Sequence, residues 1–355
     1  MGRHCPTPPP RVLASCAAVA CFASGGGCPS GAWKETTAVD VAASAGSRDA
    51  LVLVNAGANK GYAVGEWAQR FGGASFSNND WLTNLTAIKP NMMLRCGYCG
   101  ACRASNPVPI LHPGGVHAYA VELLDTNALV LRMMMERMRL SSDVVTVHEI
   151  ALSNYSGVAY SPSVHRTGQE DVQASSTASR GHGKRVESLT LEDFAARQRI
   201  QTIHTLSLDA EGWDPRILRG AASLLRARRI ELLEFEYAPK AWAGALGLWT
   251  LWSHRLSADE EARIKAGSRL HPALPPVMRE LIETVAWLRE MGYECFWQGR
   301  EANTLIDATR ASIEACHDAI ASVAQGNLAC APAGSAVLAR LRTMRLPVRM
   351  APAQG

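Results

Sequence analysis

Short apolar runs closed by turn residues recur along this 355-residue chain, and most are followed by a segment with helical spacing. The first is LVLVNAGANKG at 51–61, where four Leu and Val residues run straight into a glycine-spaced turn. A continuous apolar run bounded by turn residues reads as a buried parallel strand. Residues 62–71 follow with Ala63, Trp67 and Phe71 at helical spacing. The same alternation continues with strands at 116–122, 143–152, 203–209 and 230–237, then MGYECFWQG at 291–299 and NLACAP at 327–332. Helices are expected at 125–139, at 188–197 with Thr190 as cap, at 214–227 with Pro215 in the first turn, and at 277–290. Strand and helix in this rhythm predict an α/β fold, a seven-stranded, mostly parallel sheet with helices on both faces.

The polar stretches divide the chain. Residues 72–115 read as a Gly-, Asn- and Pro-bearing insertion that carries cysteines, and 161–184 as a surface loop. The body is expected at 46–333, with a tail at 334–355 and a leader at 1–45. In the leader, Arg3 and Arg11 precede VLASCAAVACFAS and three glycines. That order fits a secretory signal peptide and leaves a disordered or organelle-targeting leader as the alternative. The first implies the secretory pathway or the extracellular space, the second an organelle or the cytoplasm. Elsewhere no apolar run reaches the length of a membrane span. The formal charge of +4 is spread thinly, so no nucleic-acid footprint emerges. Ten cysteines are too dispersed for a disulfide scaffold.

In an open parallel sheet, ligands sit beyond the carboxyl ends of the strands. Those ends carry Asn55 and Gly57, then Glu122, Glu149, Asp209 with Glu211, and Glu236. The glycine turn has neither P-loop nor dinucleotide spacing, so no diphosphate cradle is expected. A carboxylate closing the second strand suits a ribose diol. Separately, Cys96, Cys99 and Cys102 in CGYCGAC have the spacing of zinc ligands, with His112 or His117 as a fourth. A disulfide or free thiols remain the alternatives.

NAGANKG, VHAYAVELLDTNALVL, VHEIALSNYSG, TLSLDAEGWDPRILRGA and LLEFEY, in this order, resemble the FkbM family of S-adenosylmethionine-dependent methyltransferases. The resemblance spans about 51–332 and implies the Rossmann-like class I methyltransferase fold. It implies an O-methyltransferase acting on a hydroxyl of a carbohydrate or small natural product, so a small-molecule or glycan partner. A catalytically inactive relative serving as a binding or interaction protein is the alternative. By the same resemblance, Asn55, Gly57, Asn59 and Gly61 hold the methionine part of the cofactor and Glu122 its ribose hydroxyls. Glu149, Ile150 and Ala151 border the adenine, Asp209 and Glu211 serve catalysis, and Glu236 faces the substrate. Asp209 is the expected base; a rival assignment has Asp209 and Glu211 hold a divalent metal. The chain departs from the family pattern twice. Asn55 stands where an acidic residue is usual and Ser207 where a lysine is usual.

Overall fold

Strand β1 (Leu51–Ala56) lies inside the main sheet, between β2 (Val116–Glu122) and β7 (Ile203–Leu208), and pairs with both in parallel. Neighbours on both edges and helices on both faces explain its unbroken apolar sequence. The computed structural model describes residues 32–88, 106–162, 183–248, 273–298, 305–315 and 326–346. Among these, β3 (Val145–Glu149) extends the sheet beyond β2, and β8 (Ile230–Tyr237) extends it beyond β7, again in parallel. Beyond β8 the direction reverses. Strand β11 (Gly326–Pro332) runs antiparallel between β8 and β9 (Tyr293–Gln298).

The strand count differs from the expected seven. Among the described residues the main sheet has nine, with β10 (Leu305–Asp307) and β12 (Arg345–Leu346) at one edge, in the order β12-β10-β9-β11-β8-β7-β1-β2-β3. The additions are these two strands, too short to show a periodic pattern. A second sheet of three strands joins β4 (Ala151–Ser153), β5 (Gly157–Pro162) and β6 (Gly183–Thr190) in the order β4-β6-β5. The strand expected at 143–152 therefore divides at Ile150, half in each sheet. Residues 188–190, expected to open a helix, close β6 instead.

Helix α1 (Ala32–Ser44) comes from the part of the chain grouped with the leader. It buries Trp33, Thr37, Ala38 and Val41. Its acidic and basic side chains reach α2 (Tyr62–Gly72) and the sheet. Arg70, 2% exposed, donates to Glu35 at 2.7 Å and to Glu66 at 2.8 Å, and Lys34 pairs with Glu234 at 2.7 Å. The leader's apolar run, 12–24, lies outside the described residues. The insertion holds α3 (Asn78–Ile88), whose Trp81 and Leu85 are buried. After β2 comes α4 (Asp125–Arg137), and α5 (Leu191–Arg197) follows β6. Thr190 caps α5 as expected, accepting from the Asp193 amide at 3.0 Å.

The helix expected at 214–227 is two: α6 (Asp214–Arg219) and α7 (Ala222–Arg226). The carbonyl of Gly220 between them accepts the Glu192 amide at 3.2 Å, drawing the backbone out of the helical ladder. Next come α8 (Pro239–Ala245), α9 (Leu274–Glu290) and α10 (Arg310–Ala315). The tail expected at 334–355 forms α11 (Ala336–Thr343), which packs against α1. Val54, Leu206, Leu208, Leu233 and Phe235 pack on one face with α5, α6, α7 and α9. Leu51, Leu53, Ala118, Ala120 and Leu232 pack on the other with α1, α2, α4 and α11. Cys295 and Cys330, register partners on β9 and β11, form a buried disulfide that the dispersed cysteine spacing did not reveal. Among the described residues no helix is long and apolar enough to cross a membrane.

Candidate functional site

The bend after β1 is built from left-handed backbone at Gly57 (φ 82°), Asn59 (φ 43°) and Gly61 (φ 75°). Gly57 has no alternative: a Cβ there would lie 1.9 Å from the Asp209 carbonyl oxygen. The Gly57 and Ala58 amides both donate to the Val121 carbonyl at 3.0 Å, which pins the bend to the top of β2. Glu122, the last residue of β2 and 5% exposed, turns its carboxylate onto the bend. One oxygen accepts the Asn59 amide at 2.7 Å, and the other accepts the Leu124 amide at 2.8 Å. Burial raises its pKa, against the lowering by the Leu124, Asn59 and Leu123 amides and the Lys60 charge.

Trp81 supports this bend from the insertion, a contact no motif announced. Its indole donates to the Lys60 carbonyl at 2.9 Å, and its ring fills the space where a Cβ on Gly61 would sit. Glu149 is the register partner of Glu122. It is held by Lys184 at 2.7 Å and Arg132 at 3.4 Å, and Lys184 also reaches Asp125 at 2.9 Å. Ile150 and Ala151, next along the chain, are buried.

Four carboxyl groups gather at the tops of β7 and β8. Asp209 is exposed, its amide bonded to the Ala56 carbonyl at 2.9 Å. Glu236 is buried and shares a side-chain hydrogen bond with Asp209. Its pKa is pushed well above the carboxylate range by burial, then by the charges of Asp209, Glu211 and Asp214. Glu211 takes a left-handed backbone, φ 52°. Asp214 is the member that sequence reasoning missed, because an acid in a first helical turn reads as a dipole partner. It is fully buried and turns back to accept the Gly212 amide at 3.2 Å through one oxygen, while its other oxygen has no hydrogen-bond partner. Burial pushes its carboxyl up to about 7, with Glu211 adding to the shift.

One pleat lower, Asn55, Ser207 and Glu234 form a row across β1, β7 and β8. The Asn55 amide nitrogen faces the Ser207 carbonyl at 3.4 Å. The charge in this row belongs to the Lys34–Glu234 pair, and Lys34 lies far from the motifs.

The expected zinc ligands Cys96, Cys99 and Cys102 lie outside the described residues. Both histidines offered as a fourth ligand are engaged: His112 with the Asp49 carbonyl at 2.8 Å, and His117 with the Thr146 hydroxyl at 3.2 Å. Among the described residues no three His, Cys, Asp or Glu side chains are grouped to hold a metal ion, so zinc finds no support there.

A family model described as the methyltransferase FkbM domain matches residues 55–295, more than half of the chain. The match takes in the bend, Glu122, Glu149 and all four carboxyl groups. No curated protein and no solved structure matches.

Proposed function

The chain belongs to the FkbM methyltransferase family, and on that premise we propose that it transfers the methyl group of S-adenosylmethionine to a hydroxyl of a carbohydrate or small natural product. The observation that carries this reading is Glu122, drawn onto the glycine bend by the Asn59 amide. The residues fit the cofactor. Both Glu122 oxygens sit at the bend, where a carboxylate can accept the hydroxyls of a ribose diol. Asn55, Gly57, Asn59 and Gly61 take the methionine part, on a bend that left-handed backbone folds against β2. Glu149, Ile150 and Ala151 border the adenine.

When bound, the cofactor supplies an electrophilic methyl group on its sulfonium. The protein then has two tasks. It aligns the acceptor oxygen with that methyl group, and Asp209 takes the proton the oxygen loses. The strand-end position and exposure of Asp209 suit this role. Asp209→Asn should lower the methyl-transfer rate by about 10²–10⁴-fold. Affinity for S-adenosylhomocysteine, read by calorimetric titration, should stay within about twofold, a shift of under ~1 kcal/mol. A parallel loss of binding would remove Asp209 from the base role. Acceptors are found by screening labelled methyl transfer against glycans and small-molecule extracts, with and without chelator. Unchanged activity in chelator argues against the rival metal role of Asp209 and Glu211.

The inactive alternative is favoured by Asn55, whose neutral amide faces Ser207 instead of presenting a charge toward the cofactor's ammonium group. The same titration decides it: no heat and no thermal shift with S-adenosylhomocysteine would leave a binding or interaction protein. The segment ahead of α1, with its apolar run at 12–24, we propose as a secretory signal peptide.

A further inference from the structure

We propose that Glu236 is a positioning residue for Asp209: it carries a proton, donates it in a hydrogen bond to the Asp209 carboxylate, and so fixes the direction of the base. This inference rests on the methyltransferase reading above. Strands β7 and β8 pair in parallel with Leu208 opposite Phe235, which brings the next residues, Asp209 and Glu236, side by side. Their side chains are hydrogen-bonded. Two ionised carboxylates have only acceptors, so the bond requires a proton on one of them. Asp209 is exposed and Glu236 is 6% exposed, so solvation keeps the charge on Asp209 and burial keeps the proton on Glu236.

The surroundings point the same way. Glu211 and Asp214 add negative charge from the loop after β7 and from the start of α6. One pleat down β8, Glu234 is neutralised by Lys34 of α1. Asn327, opposite Glu236 on β11, is uncharged. From α8, the Trp242 indole donates to the Glu236 carbonyl at 3.0 Å and holds that residue's backbone, while Lys240 of the same helix is exposed. In a turnover, the methyl–sulfur bond would break, its electron pair staying on sulfur, as the carbon–oxygen bond forms and the acceptor O–H bond breaks. The hydroxyl proton passes to Asp209 and leaves from there to solvent. Glu236 keeps its own proton throughout.

Two measurements test this. Infrared spectra at neutral pH should show a protonated carboxylic-acid band that Glu236→Gln diminishes, both in the wild-type background and in Asp214→Asn, which lacks the other raised carboxyl of the cluster. With an acceptor from the screen, the wild-type rate should fall on the alkaline side, where Glu236 ionises and the hydrogen bond is lost. Glu236→Gln keeps a donor for Asp209 and should retain the neutral-pH rate within about threefold, under 1 kcal/mol of barrier, without the alkaline fall. Glu236→Ala has no donor and should lose about 10–100-fold in kcat, with KM and S-adenosylhomocysteine affinity unchanged. A band that Glu236→Gln leaves undiminished in the Asp214→Asn background, or an alkaline limb that Glu236→Gln shares with wild type, overturns the inference and leaves the methyltransferase reading standing. A chain that binds S-adenosylhomocysteine but transfers no methyl group, or binds none, overturns both.

Discussion

Asp214→Asn separates the electrostatic cost of the carboxyl cluster from its packing. Asp214 is fully buried, with a carboxyl raised from 3.8 to about 7, burial being the main cause. A folded-state pKa above the unfolded value stabilises the fold while the group is protonated, below about pH 4 here. That stabilisation is lost as pH rises to 7. About three pKa units at 1.36 kcal/mol each amount to ~4 kcal/mol over this window. Asparagine cannot ionise, so the variant lacks this slope. It still offers an oxygen to the Gly212 amide. Its NH2 takes the place of the oxygen that has no partner, at a cost of about 1–3 kcal/mol. The variant should therefore be less stable than wild type at pH 4 and more stable at pH 8. Urea unfolding at steps between those pH values gives both curves. Curves that stay parallel would refute the buried, shifted carboxyl.

Trp81→Ala should cost about 3–5 kcal/mol in urea unfolding. Trp81→Phe, which loses the bond to the Lys60 carbonyl, should cost about 1–2 kcal/mol and weaken S-adenosylhomocysteine binding through the bend. Unchanged affinity in Trp81→Phe would dissociate the insertion from the site. Replacing both Cys295 and Cys330 with Ala opens a loop of 35 residues and should lower stability by about 4 kcal/mol. A denaturation midpoint equal to that of wild type would mean that the two sulfurs are not joined.

The strands that shape the site were legible because each is a short apolar run between turn residues, and burial on both faces demands that composition. The bend was legible for a different reason: three left-handed residues in five select Gly and Asn, which leaves a trace in the letters. Glu122 was found because a carboxylate ends a strand. Its partners are backbone amides, which have no letter of their own. Helix α1 has Trp33, Thr37, Ala38 and Val41 on one side, yet it reads as leader because small residues surround them. Only the packing of α11 beside it makes it core.

The sequence by itself determined the order of strands and helices, the bend after β1 and the carboxyl groups that end the strands, because local backbone and burial demands act on neighbouring residues. The tertiary structure decided everything that joins distant ones. It placed Glu236 against Asp209, buried Asp214 near them, set Trp81 against the bend, paired Lys34 with Glu234 and joined Cys295 to Cys330. These depend on register and on the loss of water around each group, and pairing across the sheet sets both.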